Sequence, residues 1–278
     1  MSNADPRGLN TLEREFELIL VDEPAPHVRR ITLNRPEKRN AISTPLRVEL
    51  LEALRAHDHD PDVRVTIIRG AGPCFSSGYD LGSGSLMDGA PFYSAPGPGE
   101  WARQANDTWF SIWDLAKPVI AQIHGYAIAG GTELASACDL VYVAEDAQIS
   151  YPVVRVASPP DWQYHTALLG MRRAMELMLT GDPITGAEAA LIGFANRAFP
   201  AESLEEEVLR IAGRIAGVPS DLTQINKRSV HRAFDVWGAR AAIRAGTELQ
   251  ALAGFTESAQ QFKANALAAV KKAVADGR

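Results

Sequence analysis

Cysteine is scarce in this chain, with Cys74 and Cys138 the two thiols among 278 residues. Their separation fits no metal-ligand spacing, and two are too few for a disulfide framework. A reduced, cytoplasmic setting with no metal is therefore expected. No apolar run approaches the ~20 residues of a membrane span, and the polar, acidic opening MSNADPRGLNTLEREFE is no signal peptide. The terminal ADGR carries no retention or peroxisomal tag. Positive charge is the minority sign, 28 Lys and Arg against 34 Asp and Glu, a net charge of −6. That balance argues against a nucleic-acid surface as the main business but leaves room for a local basic pocket. No repeat of fixed period is visible. What remains, at 46% hydrophobic and 22% charged residues, is an ordinary globular composition.

The stretch that organises the chain is Pro118–Asp139, PVIAQIHGYAIAGGTELASACD. Val119, Ile120 and Ile123 read as a buried strand, and Thr132–Cys138 as a helix. Gly130 and Gly131 stand at the junction, where the lack of a Cβ lets a ligand reach the backbone. The first amides of a helix have no partner within it, and the helix dipole points its positive end the same way. Such a terminus suits an oxygen that gains negative charge. Glu133 follows at once, so the stretch joins an oxyanion site to an acid/base group.

Around it the expected elements alternate. Phe16–Val21 and His27–Asn34 read as strands about a turn at 22–26, followed by the polar loop RPEKRNA at 35–41. A helix starts at Ser43 or Thr44 and runs to about His57; HDHDPD then reads as a surface helix end ahead of a metal site. Val63–Arg69 is a strand, followed by the turn CFSSGYDL. Residues 82–107, rich in Gly, Pro and Ser, read as a flap over a site, and a helix resumes at Trp109. Later expectations are strands at 140–144, 147–151 and 194–198, helices at 162–168, 171–179 and 186–191, and helices alone from Glu202. An amphipathic helix is expected at 262–274. Repeated ββα units followed by helices predict a mixed α/β fold.

Several blocks in this order resemble the enoyl-CoA hydratase/isomerase (crotonase) superfamily. They are ITLNRPEKRNAIS, FSSGYDL after VTIIRGAG, KPVIAQIHGYAIAGGTELASACDLVYVAEDAQIS, and LMLTGDPITGAEAALIGFANRAFP, spread over roughly residues 15–235. The resemblance implies an α/β crotonase-like spiral of ββα turns over residues 1–200, with a helical trimerisation region at 201–278. It implies a homotrimer or a hexamer built as a dimer of trimers. It implies an acyl-CoA substrate, with coenzyme A as part of that substrate and no tightly bound cofactor. It also implies oxyanion amides at Ser77 and Gly130 and catalysis by Glu133. The coenzyme A region it implies comprises Lys38, Arg39, Ala41, Gly78, Asp80, Leu81 and Gly131.

The pattern departs where hydratases carry a second glutamate, because Val153 stands there in Tyr151-Pro152-Val153. The next carboxylate, Asp161, sits where the resemblance places an extra acid in dienoyl-CoA isomerases and a nucleophile in 4-chlorobenzoyl-CoA dehalogenase. Asp161 is equally expected as an N-cap of the helix at 162–168. Tyr151, Tyr164 and His165 could line an acyl pocket, and His124 reads as structural. Hydratase or isomerase chemistry through a thioester enolate leads. Hydrolysis or dehalogenation through Asp161, and a non-catalytic acyl-CoA binder, stay open. The acidic helix RVELLEALRAH argues against an RNA-binding role.

Overall fold

The computed structural model describes residues 10–80, 97, 99–155, 160–262 and 264–265. In chain order the strands are β1 (Ile19–Ala25), β2 (Val28–Leu33), β3 (Val65–Gly70), β4 (Val119–Ile123) and β5 (Tyr126–Ile128). They continue with β6 (Leu140–Ala144), β7 (Gln148–Ser150), β8 (Ile184–Thr185) and β9 (Arg197–Phe199). One sheet has the order β1-β2-β3-β4-β6-β9, antiparallel at β1 and parallel from β2 onward. A smaller sheet joins β5, β7 and β8. The pairs β4–β5 and β6–β7 each give one strand to either sheet before a helix follows, which is the expected ββα spiral.

The central strands β2 and β4 are buried along their whole length, as parallel strands covered on both faces must be. The edge strand β1 runs on to Ala25, through the segment expected to turn. Pairing on one side only lets an edge strand tolerate Pro24. Helix α1 (Thr44–His59) starts where Ser43 accepts a hydrogen bond from the Leu46 amide at 3.3 Å. It buries Leu46, Leu50, Leu51 and Leu54. His57 is no surface helix end: it is 1% exposed and lies between the Thr11 and Thr66 hydroxyls at 2.8 and 3.1 Å. Burial lowers its pKa to about 3, so it packs as a neutral ring.

Helix α2 (Glu100–Trp113) begins nine residues before the expected Trp109, with Ala102, Ala105, Trp109 and Ile112 on its buried stripe. The flap expected at 82–107 otherwise falls on residues 82–96 and 98, outside the described ones. Helix α3 (Gly130–Ala137) is buried throughout. Helix α4 (His165–Thr180) breaks at Gly170, whose φ is 73°. The 262–274 helix lies almost wholly outside the described residues. Helix α5 (Gly186–Leu191) opens with a capping box between Thr185 and Glu188. Helix α6 (Leu204–Ala216) lays Leu204, Val208, Ile211 and Ala212 on the large sheet. Helices α7 (Ser220–Val236) and α8 (Ala239–Ala253) follow, and α7 buries nothing of its own.

Candidate active site

Two loops carry the site, and hydrogen bonds weld them together. The loop after β3 pairs with the β4–β5 turn. The Phe75 amide donates to His124 O at 3.0 Å, Ser76 to Tyr126 O at 3.2 Å, and Ile128 to Ser76 O at 3.0 Å. The RPEKRNA loop is pinned to the same segment by Asn40, which is fully buried. Its Nδ2 donates to Ala71 O and Cys74 O, each at 2.8 Å, and its Oδ1 accepts from the Arg35 amide at 3.0 Å. Arg35 adds a charge-assisted bond to Asp80 at 2.9 Å and one to Ala41 O at 2.6 Å. Asp80 and Ala41 therefore shape the loop, whereas Lys38 and Arg39 stand exposed at its tip. Leu81 lies outside the described residues.

The backbone of this loop corrects one expectation. The Ser77 amide already donates to Arg39 O at 3.0 Å, so it is not open to a ligand oxygen. Residue 79 bridges Ile42 in parallel fashion: the Ile42 amide donates to Gly78 O at 2.8 Å, and the Asp80 amide to Ile42 O at 3.0 Å. Strand alternation turns the Tyr79 amide to the opposite side, where it meets no acceptor among the described residues. That side faces α3. A Cβ on Gly78, at φ 95°, would lie 2.8 Å from Ile128 O and 3.2 Å from the Gly130 nitrogen. The Gly130 amide, first in α3, likewise has no acceptor among the described residues. The residue before it, Ala129, has φ 49° and ψ −117°. An L-residue holds that conformation only under strain of roughly 1–3 kcal/mol. Gly130 leaves room for the Tyr79 ring, since a Cβ there would stand 2.9 Å from its Cδ2 and the ring would have to shift.

Beyond that ring lie two carboxyls. Glu133 is 0% exposed and Asp161 2%. The Tyr79 hydroxyl lies 2.5 Å from Glu133 Oε2 and 3.1 Å from Asp161 Oδ2. The Trp109 indole donates to the Tyr79 oxygen at 3.0 Å and to Glu133 Oε2 at 3.3 Å. Glu133 Oε1 is buried and accepts no hydrogen bond among the described residues. Asn106 of α2 donates to the Asp161 carbonyl, and Trp162 to the Ser136 hydroxyl at 2.9 Å, which hold the 161–162 segment against α2 and α3. Asp161 is not the helix cap, because α4 starts at His165 with Tyr164 at the cap position.

Burial pushes the Asp161 carboxyl above its ordinary range. Glu133 is pushed up further, first by burial and then by the neighbouring Asp161 charge. Arg47, buried on α1 with its guanidinium 4.7 Å from the Trp101 ring centroid, works the other way and holds Asp161 down. The two acids therefore sit in unequal environments, the usual setting for one proton donor and one acceptor. Val153 lies half-buried in a single 3-10 turn, Pro152–Arg155, and brings no acid to the pair. Tyr151, Tyr164 and His165 form a buried aromatic stack nearby, with Tyr164 and His165 centroids 4.0 Å apart. His124 Nε2 donates to Gly72 O at 2.9 Å, a contact that ties the β4–β5 turn to the loop after β3.

The structure brings the expected Glu133 and Asp161 together and sets Gly130 against the Tyr79 ring, whereas Tyr79, Trp109, Arg47 and Asn40 are residues that sequence reasoning does not single out. Tyrosine in FSSGYDL was the available signal, being bulky and polar beside a glycine that packs on a helix N-terminus. A separate cleft of about 420 Å³ between α2 and α7 holds Lys227, His231 and Arg240. Their partners are Asp139 for the first two and Asp114 and Asp235 for Arg240.

The family model for enoyl-CoA hydratase/isomerase matches residues 24–268. A mitochondrial enoyl-CoA hydratase of Pongo abelii is 32% identical, over 80% of this chain and 75% of its own. The crystal structure of an enoyl-CoA hydratase from Mycobacterium smegmatis superposes with a TM-score of 0.81 at 32% identity, covering 91% of this chain and 90% of that one. A monofunctional enoyl-CoA isomerase from the same organism superposes with a TM-score of 0.65 at 33% identity, covering 78% of this chain and 94% of its own.

Proposed function

The chain belongs to the enoyl-CoA hydratase/isomerase family, and on that premise we propose that it shifts a double bond in an enoyl-CoA thioester through an enolate. The observation that carries this reading is the pair of buried carboxyls, Glu133 and Asp161, on one tyrosine hydroxyl. Migration of a double bond needs a base at one carbon and an acid at another, and unequal carboxyls supply both. The amides of Tyr79 and Gly130 receive the thioester oxygen as it becomes negative. Hydration is the second reading, favoured by the names of the relatives. Against it, Val153 stands where a hydratase carries its second acid, and the Tyr79 hydroxyl stands between Glu133 and Asp161. A nucleophilic Asp161, as in hydrolysis or dehalogenation, is disfavoured because its Oδ2 is already engaged by the Tyr79 hydroxyl at 3.1 Å in a buried cluster. A purely binding role leaves two buried acids, each costly to desolvate, without a purpose.

The thioester's phosphates lie at Lys38 and Arg39, exposed at the loop tip with no acidic partner among the described residues. Gly78, Asp80, Ala41, Leu81 and Gly131 line or shape the same region in this reading. Acetoacetyl-CoA tests both halves, because its enolate absorbs in the ultraviolet. Binding is expected to raise the enolate band, and Lys38→Ala with Arg39→Ala to weaken affinity by roughly 3- to 30-fold while the band at saturation stays. Unchanged affinity would remove the phosphate assignment, and no band would remove the enolate.

The same proposal includes assembly as a homotrimer or a dimer of trimers through the region from residue 201. Its support is apolar surface left open in one chain: Leu222 at 51%, Ile225 at 64%, Val230 at 68% and Trp237 at 77% exposure. A reducing, cytoplasmic setting is supported by two free, buried thiols, Cys74 and Cys138.

A further inference from the structure

The Tyr79 hydroxyl has three neighbours and a fixed inventory of one proton and two lone pairs. The Trp109 indole can only donate, so it occupies one lone pair. One proton and one lone pair then face two carboxyls. With both carboxyls ionised, one would set its oxygen against a lone pair of the tyrosine. The geometry is satisfied when one carboxyl is protonated and donates to Tyr79 while Tyr79 donates to the other. The three oxygens then share two protons and one negative charge.

We propose that Tyr79 is a positioning residue for proton transfer, relaying a proton between Glu133 and Asp161 and resetting the pair after each turnover. This rests on the enolate reading above. In one arrangement Glu133 is protonated and Asp161 ionised. Asp161 takes a proton from substrate carbon, and the C–H electron pair moves onto the thioester oxygen. Glu133 delivers its proton to the far carbon as the enolate collapses. The two carboxyls have now exchanged states. Asp161 passes its proton to the Tyr79 oxygen as Tyr79 passes its own to Glu133, so each proton crosses one hydrogen bond. Tyrosine is neutral before and after, and no water enters the buried cluster. Burial that pushes the Tyr79 hydroxyl well above its ordinary range keeps the tyrosinate out of this cycle.

The test is Tyr79→Phe, assayed on β,γ-hexenoyl-CoA across pH beside wild type, Glu133→Gln and Asp161→Asn. The expected kcat is lower by roughly 10- to 1000-fold, with KM within about threefold. The acid limb of the profile moves to higher pH, because the hydroxyl no longer stabilises an ionised carboxyl. The other groups facing the cluster, Arg47 from α1, Tyr151 just after β7 and Tyr164 at the start of α4, are unchanged in this variant. A structural role alone would move KM or stability and leave the limb in place. Wild-type kcat with an unmoved limb overturns the relay. If both carboxyl variants also keep full turnover, the enolate reading itself falls; if they are inactive, only the relay does. Should Tyr79→Phe fail to fold, Trp109→Phe removes the indole donor instead. It is expected to lower kcat by about 3- to 30-fold and move the limb the same way, and no change again overturns the relay. Independently of turnover, infrared difference spectra at neutral pH are expected to show one protonated carboxyl that is absent in Glu133→Gln. Two ionised carboxylates in wild type would contradict the shared proton.

Discussion

Glu133→Gln lowers turnover by about a hundredfold to ten-thousandfold, and Asp161→Asn does the same, the usual range for loss of a general acid or base. Combining them costs little more than the worse single change, because groups that act as a unit are not additive. The argument starts from burial. A carboxyl shielded from water by Trp109, Tyr79 and α3 gains nothing for stability from its charge. Replacing it by an amide of the same shape is expected to leave the melting temperature unchanged or raise it. A catalytic loss without a stability loss would separate chemistry from packing. Near-normal turnover in folded Glu133→Gln would defeat the assignment.

Gly130→Pro is expected to lower turnover by on the order of a hundredfold or more, by deleting the first amide of α3. The first helical position accepts proline, so the helix itself should form, with circular dichroism as the check. Gly130→Ala keeps the amide but sets a Cβ at 2.9 Å from the Tyr79 ring, which must shift. An intermediate loss is expected there, because a displaced ring carries the hydroxyl away from both carboxyls. Measured kcat/KM should therefore fall in the order wild type, alanine, proline. Wild-type kcat/KM in a folded proline variant would remove that amide from the oxyanion site.

The residues legible in the sequence were those whose role follows from local chemistry. Gly130 and Glu133 could be placed because a glycine pair at a strand-to-helix junction has few other uses. The parallel strands were legible from their apolar runs. Asp161 is visible in the sequence only as a carboxylate near a missing one, and local chemistry suits it equally to a cap; the structure starts α4 four residues later. The amide expected to be open at Ser77 donates to Arg39 O instead, because which amides point outward depends on the bridge to Ile42, a long-range contact. Tyr79, Arg47 and Asn40 act across 54, 114 and 34 residues of chain respectively, to Glu133, Asp161 and Cys74. Periodicity carries no record of such pairings. Strand β1 passed through Pro24, and α2 began early, because edge pairing and burial against the core outweighed local turn composition.

The central claim is that this pair of acids moves a double bond rather than adding water. Incubation of the wild-type protein with β,γ-hexenoyl-CoA, followed by ultraviolet absorbance and mass together, tests it most directly. The account predicts that the band of the conjugated thioester appears with no change in mass, and that Glu133→Gln abolishes it. A product heavier by one water, release of free coenzyme A, or no conversion at all would contradict it.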